Sequence, residues 1–141
     1  MMPMPRLKNW PSRLAAVVAV AQTAPFEWGA HDCCLWAADA VLACTGQDLA
    51  AAWRGTYSTA AGAAALLHDL GGLQAVAAMA GPAIEPALAG AGDVGLLPAP
   101  DDAARQCLAV HSGTGWLVVG SAGLLHCPPE AATSAWGVGH G

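Results

Sequence analysis

Between residues 81 and 92 the chain changes its hydrophobic period, and that one change confines it to a single architectural class. Before it, Leu, Ala, Val and Trp recur at helical spacing. After it, short apolar runs alternate with Gly, Pro, Asp or Ser about every ten residues, a strand-and-turn pattern. Helical segments are expected at Pro11–Thr23, from Cys33 to about Cys44 behind an Asp32 N-cap, at Asp48–Trp53, from Ser58 or Thr59 to Leu70, and at Gln74–Ala80. Pro25 ends the first, because its ring disfavours helix in the preceding residue. Thr45-Gly46 and Gly71-Gly72 supply the left-handed stops that helix ends favour. Strands are expected at Asp93–Leu97, Gln106–His111, Trp116–Val119 and Gly123–Cys127, with Ser112-Gly113-Thr114-Gly115 as a hairpin connection. Gly81–Gly92, with Pro82 and Pro86, is expected to be an irregular connector. Helices first and an antiparallel meander second imply an α+β fold, the N-terminal helices packing on a small antiparallel sheet formed by the C-terminal half. One domain is expected over residues 1–141, helical over about 11–80 and stranded over about 92–138.

Charge narrows the function classes. Only 11% of residues are charged, the net charge is -5, and the cations Arg6, Lys8, Arg13, Arg54 and Arg105 are scattered. A nucleic-acid partner would call for a basic patch. So weakly charged a surface implies cover from partner chains. Arg6, Lys8 and Arg13 precede the apolar run Leu14–Ala21, and Gln22-Thr23-Ala24 resembles a cleavage site. The run is short for a signal core and far too short to span a bilayer, so an amphipathic first helix is expected, with no membrane span. The five cysteines, Cys33, Cys34, Cys44, Cys107 and Cys127, are odd in number and contain no CxxC pair. That usage fits thiols made in a reducing cytoplasm rather than a disulfide framework. His31, Cys33, Cys34, Cys107, His126 and Cys127 could be gathered by a fold, but not at the usual ligand spacing, and neither a metal nor a cofactor is expected.

Chemistry concentrates in Pro25-Phe26-Glu27-Trp28-Gly29-Ala30-His31-Asp32-Cys33-Cys34, where a Gly-containing loop enters an Ala- and Leu-rich helix. The first N–H groups of a helix lack intrahelical partners and carry the positive end of its dipole. A thiol placed there is more readily a thiolate, the nucleophilic form. Cys33 is therefore the candidate nucleophile. Asp32 opposes it by charge and is better explained as an N-cap. Trp28 is expected to pack beneath the Cys33 loop, Trp36 in the core, and Cys34 as a small buried residue.

Pro25-Phe26-Glu27-Trp28-Gly29 followed by Asp32-Cys33 resembles the Pro-(Tyr/Phe)-x-Trp-Gly … Asp-Cys signature of NlpC-type cell-wall cysteine peptidases, which have a papain-like fold. Gly92-Asp93-Val94-Gly95-Leu96-Leu97 resembles the strand that follows their helical half. Trp10–Leu14, Phe26–Cys33, Ala37–Gly46, Arg54–Ser58 and Ala135-Trp136 are more similar still to a small phage and prophage tail protein family of that superfamily. Each piece is weak alone; their order covers nearly the whole chain. The resemblance implies a papain-like NlpC-type fold and a place at the tail tip of a phage or phage-like particle.

It also implies a Cys–His mechanism, in which a histidine takes the thiol proton and returns it. The histidine position falls on Cys107, or on Gln106 with a one-residue slip. Neither is a general base. His111 and His126 are the candidate substitutes; His31 is better explained by packing, and His68 and His140 are given no role. The expected function is a virion structural or tail-assembly component whose peptidase-like fold has lost catalysis, made in the host cytoplasm and carried in the tail. Its expected partners are hub, distal tail or fibre subunits, with bacterial peptidoglycan as a further one. The alternative is an active cysteine peptidase or amidase that cleaves peptidoglycan stem peptides during genome delivery.

Overall fold

A computed structural model describes residues 5–139. Its centre is α2 (Cys33–Thr45), which the sequence marks chemically at both ends. The Asp32 side chain accepts from Leu35 N–H, and Gly46 closes the helix at φ 80°. Nearly every residue of α2 is buried, as its apolar character on all sides requires. α1 (Trp10–Ala21) packs along it, starting one residue before the expected Pro11 and ending two before Thr23. The Arg13 guanidinium of α1 donates to the Leu42 and Ala43 carbonyls, satisfying acceptors in the last turn of α2. α3 (Ala60–Leu70) is capped by Thr59 and closed by Gly71, and α4 (Leu73–Ala78) follows at once. Among the described residues no helix is long and apolar enough to cross a membrane.

Asp48–Trp53, expected as helix, is instead a succession of turns. Helix propensity of the Leu-Ala-Ala-Ala run loses to side-chain bonding. Asp48 accepts from Ala50 N–H and holds Arg54 through both carboxylate oxygens. Arg54 also pairs with Asp39 of α2 at 2.7 Å, so the turn is clamped to the helix rather than extended along its own axis.

The strands β1 (Ala83–Ile84), β2 (Val94–Ala99), β3 (Asp102–His111), β4 (Trp116–Gly120), β5 (Gly123–Cys127) and β6 (Ser134–Trp136) form one antiparallel sheet in the order β1-β6-β2-β3-β4-β5. The Gly81–Gly92 connector is therefore not wholly irregular. It contributes β1, which pairs with β6, and a 3-10 turn at Pro86–Leu88. β3 begins four residues before the expected Gln106, because the β2–β3 hairpin continues past a register shift at Pro98/Ala99.

Alternate residues of β2 and β3 serve two cores. Val94, Leu96, Leu108 and Val110 face the helices, where Leu35, Trp36 and Val41 are fully buried. Leu97, Cys107 and Ala109 point to the other side with Trp116, Val118 and Ala135. The 3-10 turn after β1 packs against the one after β5, Pro129–Ala131, and Ala89 and Ala131 at their ends cover this second core. Trp36 is the largest tie between helices and sheet. Its indole N–H donates to the Leu117 carbonyl at 3.0 Å, and its burial contributes about 4–6 kcal/mol at the usual area coefficient.

The sheet is narrowest in its middle. β3 and β4 pair only at Val110↔Leu117 and His111↔Trp116, and beyond that the strands part. The start of α2 fills the opening. At the other end of β2 the chain closes on itself. Arg6 donates to the Val138 and Ala91 carbonyls and to Asp93, with its guanidinium stacked on Trp10.

Candidate functional site: the cleft at Cys33

The loop before α2 is shaped by one close approach. Gly29 sits at φ 79°, and a Cβ there would lie 1.8 Å from the Tyr57 carbonyl oxygen. Glu27 and His31 exchange backbone hydrogen bonds across this turn. Asp32 then gathers three donors. Leu35 N–H bonds one carboxylate oxygen, while Gly29 N–H and the Tyr57 hydroxyl bond the other. Burial, followed by this bond to the carboxylate and its charge, holds the Tyr57 hydroxyl far above the usual phenol range, so it remains a neutral donor.

Cys33, the first residue of α2, is partly exposed and touches both cores. Two donors converge on its sulfur, the Cys34 thiol and the Leu108 N–H. The second is available because of the parted sheet. Ladder alternation aims Leu108 N–H towards β4, but pairing stops at Val110↔Leu117, and the amide turns to sulfur instead. Hydrogen bonding from Cys34 is the largest influence and lowers the Cys33 pKa against burial and the nearby Asp32; Arg105 assists weakly. Cys34 is raised in turn, by its bond to Cys33 and then by burial. Cys107 is pushed up to about 12 by burial and by the charge of Cys33. Cys33 is thus the thiol of the group that gives up its proton most readily, ahead of Cys34 and Cys107.

The thiol opens into a cleft of about 840 Å³ between the α3–α4 side and the tip of the β2–β3 hairpin. Phe26, Trp28, Trp53 and Tyr57 give it an aromatic wall, Leu66, Leu67, Leu70 and Leu73 an aliphatic one, and Asp101 and Arg105 a charged lip. A mostly apolar pocket of this size with few polar groups suits a ligand or a partner segment.

No histidine among the described residues lines this cleft. His111 ends β3, buried against Trp116, with Nδ1 accepting from Gly113 N–H at 2.9 Å; burial lowers its pKa. His126 is exposed on β5 opposite Leu117. His31 stands edge-on to Trp36 and lines a separate cavity of about 530 Å³ between α1 and α2. His68 is exposed on α3, and His140 lies outside the described residues. Cys107 and Gln106, at the position where the resemblance places the histidine, do line the cleft. Among the described residues no three His, Cys, Asp or Glu side chains converge as a metal would require.

Asp32 caps α2 as expected, Trp28 lines the cleft beside Phe26, and Trp36 is core. Sequence reasoning missed two members of the site. Tyr57 was visible only as part of the Arg54–Ser58 motif, with no partner to suggest its use. Leu108 has no sequence signal, because its role comes from the divergence of β3 and β4.

The donor arrangement has a measurable consequence. Alkylation of Cys33 by iodoacetamide, followed by peptide mapping, is expected to persist to lower pH than for an ordinary cysteine. Cys34→Ala removes the main thiolate-stabilising donor. It is expected to move that profile to higher pH and to slow Cys33 alkylation at pH 7, as the thiolate loses its main stabilising donor. An unmoved profile would assign the effect to Leu108 and the helix terminus alone.

A family model described as a domain of unknown function (DUF6950) matches residues 5–138. No curated protein and no solved structure matches the chain.

Proposed function

The chain belongs to the DUF6950 domain family, and on the site just described we propose that it is a papain-like, NlpC-type domain that has given up hydrolysis and serves as a structural or assembly component of a phage-type tail tip. The observation that carries this reading is a thiol with no histidine beside it among the described residues. Cys33 keeps the helix-start position and lowered pKa of a nucleophile, but the cleft beside it offers Cys107 and Gln106 where a proton carrier is needed. A positioned general base is worth roughly 10²–10⁴ in rate. Its absence fits a cleft that binds without cutting.

The fold assignment within α+β rests on element order. A Cys-led central helix packs on an antiparallel sheet, and the next long strand, β2, follows Gly92-Asp93. The tail assignment rests on the ordered motifs from Trp10–Leu14 to Ala135-Trp136. Val20 and Leu88, 75% and 76% exposed, are large apolar side chains that neighbouring hub, distal tail or fibre subunits would cover.

The lowered Cys33 pKa favours a second reading, an active peptidoglycan peptidase or amidase. Purified protein incubated with peptidoglycan stem peptides separates the two, wild type beside Cys33→Ala. No cleavage by either protein is expected. In particles assembled on a chain carrying Cys33→Ala, tail assembly and genome delivery are expected to match wild type. Cleavage that vanishes in the variant, or normal tails that no longer deliver, would replace the structural reading with the enzymatic one.

A further inference from the structure

We propose that Cys33 and Cys107 are a peroxide-reactive pair, in which a hydroperoxide oxidises Cys33 and Cys107 then captures it as an intramolecular disulfide joining the start of α2 to β3. Both residues line the same cleft, and Cys33 packs against the second core to which Cys107 belongs. The amide of Leu108, the residue next to Cys107, bonds the Cys33 sulfur. The start of α2 packs directly against β3, and a disulfide between the two elements needs Cα atoms roughly 4.4–6.8 Å apart. The inference concerns the thiols alone and does not depend on a role in a tail.

This chemistry needs no histidine, since the Cys33 thiolate attacks the weak O–O bond directly. Sulfur is oxidised to Cys33–SOH while the peroxide is reduced, and its leaving oxygen departs as hydroxide, or as alkoxide from an organic peroxide. Oxidation also discharges Cys33. That removes the largest influence, after burial, holding the Cys107 thiol up. The Cys107 proton passes to the released hydroxide, its thiolate attacks the Cys33 sulfur, the S–S bond forms, and the sulfenic oxygen leaves as water after protonation. The sum is two thiols and one hydrogen peroxide giving one disulfide and two waters.

Competing thiols are worse placed. A bond between adjacent Cys33 and Cys34 would require the first turn of α2 to leave helical geometry, with the loss of the Asp32 cap. Cys44 lies at the far end of α2 beside Arg6 and Gly92; Cys127 packs on the same second core as Cys107 but does not line the cleft into which Cys33 opens.

The test uses the full chain, reduced, desalted and treated with one equivalent of hydrogen peroxide, then alkylated in denaturant and digested with trypsin. Cleavage after Arg13, Arg54 and Arg105 leaves Cys33, Cys34 and Cys44 in one peptide and Cys107 and Cys127 in another. Two of the five thiols should be lost, with the two peptides linked and fragmentation placing the link at Cys33–Cys107. In Cys107→Ser the sulfenic acid should persist at Cys33 and be trapped by a cyclic 1,3-diketone, while Cys127→Ser should leave the wild-type link intact. A link within the first peptide, a link to Cys127, sulfinic acid at Cys33 in the wild type, or an unoxidised Cys33 would each overturn the proposal. Because the wild-type mapping decides the question, a variant that failed to fold would not leave it open.

Discussion

Asp93→Ala is expected to destabilise the fold by about 3–5 kcal/mol, the scale on which breaking a buried ion pair leaves a charge without its counter-ion. Asp93 is fully buried. Its carboxylate accepts from the Arg6 guanidinium at 3.1 Å, from Gly90 N–H at 2.9 Å and from Val138 N–H at 3.0 Å. Truncation strands a largely buried guanidinium and two backbone donors at once, and each unsatisfied donor carries its own desolvation penalty. For a chain of this length the loss corresponds to a fall in Tm of roughly 10–15 °C. Asp93→Asn keeps an acceptor but not the charge and should fall between wild type and alanine. Urea unfolding midpoints at fixed pH measure the series. A loss below about 1 kcal/mol for Asp93→Ala would show that solvent reaches the network and replaces the carboxylate.

Gly29→Ala is expected to be nearly as damaging, through geometry alone. At φ 79° an alanine pays about 1–2 kcal/mol for the left-handed conformation. The larger part is steric, since the new Cβ would stand 1.8 Å from a backbone carbonyl that no rotamer change can move. Either the loop or the chain at Tyr57 must shift, and Asp32 loses its Tyr57 and Gly29 donors in the process. A total of about 3 kcal/mol or more is expected, together with Cys33 alkylation that moves towards the behaviour of a free thiol. Gly55 provides the control. It has φ 72° with nothing within 4 Å of an added Cβ, so Gly55→Ala should show the conformational cost without the steric one. Equal losses in the two variants would refute the argument from close approach.

How far the sequence could be read depended on where each signal was written. α2 was legible to within a residue because Asp32 and Gly46 mark its ends locally, and Thr59 and Gly71 do the same for α3. The Asp48–Trp53 turn was not legible: its composition is helical, and the Arg54 clamp that overrides it reaches to Asp39, far away in sequence. β1 was missed because two residues carry no periodicity. Its pairing comes from β6, held where Gly81 meets the Gly137 carbonyl so closely that a Cβ would lie 1.8 Å from it. At the site, Cys33, Asp32 and Trp28 share one contiguous motif and were identified together. Tyr57 and Leu108 arrive from a turn and a strand, and their contribution exists only once α2 has entered the parted sheet.

That parting also bears on motion. With two residue pairs joining β3 to β4, against five joining β4 to β5, the sheet divides into two plates with a weak seam between them. Besides the packing of Trp116, Leu117 and Val118 into the two cores, the β4–β5 plate is held to the rest by that seam, by the Trp36 indole on Leu117, and by Phe26 N–H on the Gly120 carbonyl. Hydrogen exchange sorts backbone amides by the free energy of the local opening that releases them. The β2–β3 ladder should therefore exchange with the slowest, global class, and the β4–β5 amides as a separate and faster group. Cys33 lies beside the seam, so excursions of one plate against the other would widen or narrow the cleft, lined by residues of both plates, into which its sulfur already opens.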